Sequence, residues 1–445
     1  MRATVLGAGL AGCEAALWLA QQGVKVRLYE QKPGHFSPAH KSADLAELVC
    51  SNSLKAERTD SAGGLLKAEM RLLGSSLLPV ADGCRVAAGG ALAVDREQFS
   101  ARVSALVEGH PGIELVREEA RDIPEADGPV LVATGPLTEG ALAGRIAALA
   151  GQQQLAFYDA AAPIVTAASL EMGRVFAASR YGRGDDDYLN CPMDKETYEA
   201  FYAALLAAER APLHAFDTPD PEGQGADAAA NVPVYEGCMP VEEMARRGPD
   251  TLRYGPLRPV GLTDPATGRR PWACVQLRRE DAEGRLYNLV GFQTNLKFGE
   301  QKRVFGMIPG LANAEFVRYG VMHRNTFLNS PEVLAKNLSL KGHPHIFFAG
   351  QITGFEGYME SAACGLLAAR AVLAQLCGGT YAPPSLNTMC GALAGYITQG
   401  GKNFQPMGAN MGLLPPLDAP ERDKRLRYEK LAARALAAMR AWAEA

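Results

Sequence analysis

The chain has 445 residues, 47% apolar and 21% charged, with a formal net charge of −4. That length exceeds one ordinary domain, so two or three folded units are expected. Nine cysteines without a C-x-x-C pair argue against a disulfide framework or a zinc site, and point to reduced thiols in a cytoplasm. No uninterrupted apolar run approaches about 18 residues, so no membrane span is expected; the cysteine spacing gives no metal site to expect. The near-neutral balance gives no overall electrostatic reason to bind nucleic acid.

The chain opens on a core strand, which leaves no place for a cleaved signal peptide. That strand, residues 2–6, runs into Gly7-Ala8-Gly9-Leu10-Ala11-Gly12, a G-x-G-x-x-G turn. An Ala/Leu-rich helix follows and is stopped by Gly23. A second strand, residues 24–29, ends on Glu30. This is the dinucleotide fingerprint in its required context. Gly7 permits the tight turn, Gly9 lets the backbone approach a pyrophosphate, and Gly12 lets helix and strand pack closely. Helix N–H groups face the phosphates, and Glu30 stands where a carboxylate bonds ribose hydroxyls.

Two further strands end in small-residue turns. One is residues 129–135, ending on Thr134 and Gly135. The other is residues 345–354, with Gly350 and Gln351 in its turn and a helix beginning near Gly357. Parallel strands of an open sheet gather such turns at their carboxyl ends. The three-part spacing is similar to two-dinucleotide-binding-domain flavoproteins, in which FAD lies extended and a late helix points its N-terminus at the flavin. The expected fold is α/β, FAD-binding Rossmann-like, with an inserted α/β domain. The expected cofactor contacts are Gly7, Ala8, Gly9, Leu10, Ala11, Gly12, Glu30, Lys32, Asn52, Thr134, Gly135, Gly350, Gln351, Glu356, Gly357 and Tyr358. No second fingerprint follows a strand, so a nicotinamide reductant would bind only transiently.

The middle of the chain changes texture. A helical stretch at 198–210 precedes strand-like runs at 272–277 and 286–292. Residues 217–231, rich in Pro, Gly, Asp and Ala, read as a surface loop. The resulting division is 1–160, first part of the FAD-binding domain; 161–324, the inserted domain on the substrate side; and 325–445, the second part with a C-terminal amphipathic helix from about 421.

Two cysteines stand in polar company. Cys50 precedes Ser51-Asn52-Ser53, which reads as a turn or helix cap with backbone N–H groups near the sulfur. Cys238 lies between Gly237 and Pro240, a bend that presents a thiol on a loop. The remaining cysteines (13, 84, 191, 274, 364, 377 and 390) read as small buried apolar residues. His323-Arg324-Asn325 place an imidazole, a guanidinium and an amide in succession, as a ligand site needs. Between 238 and 330 there are 14 Lys/Arg against 9 Asp/Glu, a local surplus in an otherwise acidic chain. A solvated face explains such a surplus, and so does contact with a phosphate backbone. Arg246, Arg247, Arg278 and Arg279 are the candidates for that contact.

These residues resemble the folate- and FAD-dependent tRNA (uracil-5-)-methyltransferase family (the TrmFO family). The likeness rests on residues 50–55 (CSNSLK), 179–181, 236–242 (EGCMPVE), 252–262 (LRYGPLRPVGL), 291–297, 301–313, 319–327, 349–361 and 403–407. It spans nearly the whole chain. Loop 217–231 is longer than the family leads one to expect. The resemblance implies formation of 5-methyluridine (ribothymidine) at position 54 of the tRNA T-loop. The carbon would come from 5,10-methylenetetrahydrofolate, with tetrahydrofolate released, reduced flavin as carrier and NAD(P)H as reductant. By the same likeness Cys238 is the nucleophile that adds to uracil C6, and Cys50 is a second thiol near the flavin. His323, Arg324, Asn325 and Tyr358 hold the folate. Two alternatives are a wobble-uridine-modifying tRNA flavoenzyme, disfavoured because its long helical C-terminal extension has no counterpart here, and an NAD(P)H–FAD oxidoreductase with a small-molecule substrate.

Overall fold

The structure, a computed structural model, describes every residue except 38, 125–127, 152–154, 183–184, 212–238, 400–403 and 445, and it describes no side chain at 155–159, 323 or 324. Loop 217–231 and Cys238 therefore lie outside the described residues.

The first sheet has six strands, in the order Ser339–Leu340, His343–Phe348, Val130–Val132, Arg2–Leu6, Lys25–Tyr29, Ile113–Val116. All pairings are parallel except the edge hairpin Ser339–Leu340 with His343–Phe348. The strand order reverses between Arg2–Leu6 and Val130–Val132. A ligand crevice forms at such a switch point, outside the carboxyl ends of the strands.

Helix Leu10–Gln21 is buried along nearly its whole length, which its Ala/Leu composition permits. It crosses helix Tyr358–Leu376 at very short range. A Cβ on Gly365 would sit 2.2 Å from the Ala11 carbonyl oxygen, so only glycine allows the crossing. Among the described residues Tyr358–Leu376 is the one helix long and apolar enough to cross a membrane, with 72% of that stretch buried inside the fold. Here it is the buried core helix expected to begin near Gly357, and Glu360 and Arg370 interrupt its apolar stretch.

Two buried carboxylates from distant helices hold helix starts. Glu14, inside the first helix, accepts from Ser75 Oγ at 2.6 Å and Ser76 N at 2.6 Å, just before helix Leu77–Asp82. Glu69 accepts from Met389 N at 2.7 Å and Cys390 N at 2.8 Å, the start of helix Met389–Gln399. Free N–H groups and the positive helix end favour a carboxylate there. Burial works the other way and pushes both carboxyls up to about 7. A raised folded-state value means the folded protein holds the proton more tightly than the unfolded chain. The stability Glu14 contributes is thus complete below pH 4.5 and lost as pH rises through 7. The parent's stability relative to Glu14→Gln, which does not titrate, should fall between pH 4.5 and 8 by about 3 kcal/mol, read by urea unfolding across that range. A constant difference would show that Glu14 ionises normally.

The chain leaves the first domain along Leu155–Ala160 and returns along Met322–Phe327, paired antiparallel over their full length. Between them lies a second six-stranded sheet, in the order Phe176–Ala177, Tyr188–Met193, Ala273–Arg279, Leu286–Leu289, Ile164–Thr166, Phe316–Arg318, antiparallel throughout. Side-chain alternation gives it two unlike faces. Leu189, Cys191, Val275, Leu277 and Leu289 pack with Phe201, Val304 and Phe305 of the covering helices Lys195–Leu206 and Phe298–Phe305. The opposite face carries Tyr188, Asn190, Gln276, Arg278 and Asn288, and turns toward the first domain. The run expected at 286–292 ends at Leu289 because Gly291 (φ 77°) turns the chain.

Candidate active site

The crevice at the switch point is lined by Gly7, Ala8, Gly9, Leu10, Ala11, Glu30, Lys32, Thr134, Gly135, Gly350, Gln351 and Tyr358, together with Cys50 and Asn325. Sequence reading named each of these but not His35, His40, Glu47 or Thr138, which also line the crevice. The glycines divide the work. A Cβ on Gly7 would lie 2.6 Å from the Ala133 carbonyl oxygen, and one on Gly12 would lie 1.8 Å from the Gly7 carbonyl oxygen. Those two exist for the turn and its packing, and Gly12 does not line the crevice. A Cβ on Gly9 would meet nothing within 4 Å. The empty space beside Gly9, at a helix N-terminus without a side-chain cap, suits a pyrophosphate. Glu30 is fixed by accepting from Ala8 N at 3.1 Å and Lys32 N at 3.0 Å. It keeps lone pairs for ribose hydroxyls. These residues fit a dinucleotide.

Several expected contacts are used otherwise. Lys32 lines the crevice, but its ammonium is held by the Asp44 carbonyl at 2.5 Å and Glu47 at 3.4 Å. Glu356 is not a lining residue; it accepts from Gln351 Nε2 at 2.7 Å and so orients a residue that is. Gly357 (φ 121°) is the N-cap of the late helix, where a Cβ would lie 2.3 Å from Glu360 Oε2. Asn52 is fully buried away from the crevice. Its Nδ2 donates to the Val94 carbonyl at 3.1 Å and the Arg279 carbonyl at 2.8 Å, and its Oδ1 accepts from Arg278 Nε at 2.7 Å. Its bonds to Arg278 and Arg279 tie the two domains together, and it does not line the crevice. Cys377 is exposed at the C-cap of the late helix, whereas Cys13, Cys84, Cys191, Cys274, Cys364 and Cys390 are buried as expected.

Cys50 sits at the crevice beside Tyr358. The Cys50 sulfur lies 3.0 Å from the Tyr358 hydroxyl, whose oxygen also accepts from Cys50 N at 2.7 Å and Ser51 N at 3.2 Å. Two N–H donors occupy the phenol oxygen, which turns the O–H proton toward the sulfur. Burial, then the nearby Cys50, push the Tyr358 hydroxyl far above its ordinary value, so it remains a donor. No helix starts at Ser51-Asn52-Ser53. The backbone N–H groups expected to serve the sulfur go to Tyr358, and a strand, Ser53–Ala56, follows.

Three arginines surround this thiol. Arg96 Nη1 donates to the Leu48 and Val49 carbonyls at 3.1 and 3.2 Å, and its Nε donates to Glu280 Oε2 at 2.6 Å. Arg278 Nη2 donates to Ser51 Oγ at 2.9 Å. Arg318 is held below its usual range by burial and by the neighbouring Arg96. Arg96 comes from the first domain and the other two from the inserted sheet. Sequence reading missed Arg96 and Arg318, since nothing local distinguishes one arginine in a helix or strand. It placed Arg278 on an RNA-facing surface, but Arg278 is only 8% exposed and lies between the domains. Arg279 is half-buried, and its carbonyl is taken by Asn52. Arg246 and Arg247 are exposed at the end of helix Val241–Arg246. His323 and Arg324 lie in the strand of the connecting ribbon, with side chains outside the described set. Among the described residues no cluster suits a metal ion.

A family profile for Glucose inhibited division protein A matches residues 2–379. A methylenetetrahydrofolate--tRNA-(uracil-5-)-methyltransferase TrmFO of Moorella thermoacetica is 58% identical over 97% of this chain and 96% of its own length. The protein of that name from Geobacter sulfurreducens is 55% identical over 99% and 98%. Among solved structures, GidA of Aquifex aeolicus in its form II crystal superposes with a TM-score of 0.69 at 15% identity, covering 99% of this chain and 73% of that one. The likeness to GidA is one of fold, and the likeness to the two transferases extends from end to end. The chain belongs to the Glucose inhibited division protein A family and, within it, to the methylenetetrahydrofolate--tRNA-(uracil-5-)-methyltransferases TrmFO.

Proposed function

We propose that this protein methylates C5 of the T-loop uridine of tRNA, taking the carbon from 5,10-methylenetetrahydrofolate, with FAD resident in the crevice and NAD(P)H as reductant. The observation that carries the reading is Cys50, a thiol held by Tyr358 at the edge of a dinucleotide crevice and overlooked by a polar sheet face bearing Arg278 and Arg318. An oxidoreductase acting on a small molecule has no need of that face. Bound flavin supplies the electrons that turn a transferred methylene into a methyl group. The chain's own residues do the rest: Gly9 and the first helix hold the pyrophosphate, and Glu30 holds the ribose. Tyr358 orients the Cys50 thiol, and the inserted sheet closes the site from water. Cys238 is the nucleophile that would add to uracil C6, and His323, Arg324 and Asn325 would hold the pterin. Anaerobic incubation with labelled methylenetetrahydrofolate, NAD(P)H and unmodified tRNA tests the reading. Label in 5-methyluridine supports it, and label absent from the RNA refutes it.

The tRNA backbone meets the inserted domain, on the segment from 246 to 272. Arg246, Arg247, Arg258, Arg269 and Arg270 are exposed there. Tyr254 is 82% exposed, and Arg253 stacks 3.7 Å over the Trp272 ring. Cations interleaved with exposed aromatic rings suit phosphates and unstacked bases. Neutralising Arg246 with Arg247 should weaken tRNA binding and lower the log–log salt slope by about 0.7–0.9 for each phosphate left unneutralised, with flavin content unchanged. Filter binding across a salt series reads it, and an unchanged slope would move the interface elsewhere.

A further inference from the structure

The polar face of the inserted sheet holds two buried atoms without a hydrogen-bond partner, Asn288 Nδ2 and Glu280 Oε1. Asn288 is 3% exposed and Glu280 is 5% exposed. A polar atom withdrawn from water and left unpaired is costly, so a native fold keeps one where something else completes it.

Their place in the fold says what that is. Asn288 pairs across the sheet with Arg278 on one side and Ile164 on the other, and Ile164 pairs with Arg318. One row on one face therefore reads Arg278, Asn288, Ile164, Arg318. Arg278 holds Ser51 and Asn52, the two residues after Cys50. Arg318 is close enough to Cys50 to feel its charge. Asn288 thus lies between Arg278 and Arg318 in the row on the sheet face that Arg278 ties to the Cys50 loop. Glu280 lies two residues beyond Arg278 on the same face, and its N–H continues the ladder to the Leu286 carbonyl at 2.9 Å. It is therefore diagonal to Asn288. Its other oxygen, Oε2, is taken by Arg96, which in turn holds the carbonyls of Leu48 and Val49 before Cys50.

We propose that Asn288 and Glu280 read the H–N–C=O edge of a planar ring brought to Cys50. Asn288 Nδ2 donates to the ring carbonyl, and Glu280 Oε1 accepts from the ring N–H. Uracil and pterin both carry this edge, and the transferase reading, on which the inference rests, brings both rings to this site. Neither residue touches a reacting carbon; they position the ring and select it.

Asn288→Asp tests this in the flavin-loaded full chain, because it keeps the shape while replacing the donor with an acceptor. Asn288→Ala is the second variant. Glu280 is left intact because it also anchors Arg96. Two half-reactions separate the sources of the edge. Tetrahydrofolate binding is measured without RNA, and the rate of covalent adduct formation with 5-fluorouridine-substituted tRNA is measured without folate. A fall of about tenfold or more in the adduct rate, at unchanged tetrahydrofolate affinity, supports the proposal and assigns the edge to uracil. A similar loss of tetrahydrofolate affinity, at an unchanged adduct rate, supports it and assigns the edge to pterin. Both quantities unchanged in either variant overturns it, and the two atoms are then served by buried water. Losses accompanied by reduced flavin content or melting temperature in both variants also overturn it, since the role is then structural. A parent protein that labels no 5-methyluridine refutes the transferase reading itself, a result that does not depend on Asn288.

Discussion

Cys238→Ala should abolish methyl transfer and leave bound flavin unchanged. In sequence the substitution falls in the block between the two halves of the nucleotide domain, outside the nucleotide-binding motifs. Uracil C5 is a poor nucleophile. Adding a thiolate at C6 forms an S–C6 bond and pushes the ring electrons toward O4, which makes C5 enolate-like. Without that thiolate no adduct with 5-fluorouridine-substituted tRNA should form. Cys50→Ala should also be impaired, by about a hundredfold or more, or roughly 2.7 kcal/mol of barrier, if its thiol moves the proton. It should still trap the RNA, because C6 addition precedes proton removal at C5. One variant blocks attachment and the other stalls the attached complex. Gel-shift of the denatured adduct, alongside label incorporation, distinguishes them. An adduct with Cys238→Ala but not with Cys50→Ala would reverse the roles, and near-normal turnover in both would remove thiol catalysis.

Gly9→Val should yield a folded protein without flavin, whereas Gly12→Val should not fold. The contrast follows from what each side chain would meet. At Gly12 a Cβ would stand 1.8 Å from the Gly7 carbonyl oxygen, inside the strand–helix turn on which the core is built. At Gly9 a Cβ would meet no protein atom within 4 Å. A valine there costs the fold little but fills the space left for the pyrophosphate and blocks the first-helix N–H groups. Flavin absorbance per chain and far-ultraviolet circular dichroism together read the outcome. Full flavin content in Gly9→Val would remove the phosphate from that turn. A folded Gly12→Val would mean that the first helix shifts to accommodate it.

The short-range features were written in the sequence. The turn at Gly7, Gly9 and Gly12, the acid at Glu30, and the strand ends at Thr134 and Gly350 each depend on neighbours a few residues away. Local pattern therefore sufficed to predict the α/β, Rossmann-like fold class and strands that the first sheet contains. The Ala/Leu texture of residues 10–21 likewise reported a buried helix. What the sequence could not show depends on partners hundreds of residues apart. Tyr358 reaches back to Cys50, Asn52 donates to the Arg279 carbonyl, and Glu69 holds the start of a helix at Met389. Arg278 carries the same charge as Arg246, and along the chain both read as basic surface. Strand alternation and domain docking bury one and leave the other in solvent. The polar atoms of Asn288 and Glu280 acquired meaning only when the inserted sheet was set against the Cys50 loop. Local sequence determines which backbone shapes and charges exist, because those follow from short-range sterics and periodicity. Tertiary packing decides which polar groups lose water and which partners they then face, because desolvation belongs to the assembled fold and not to any one segment.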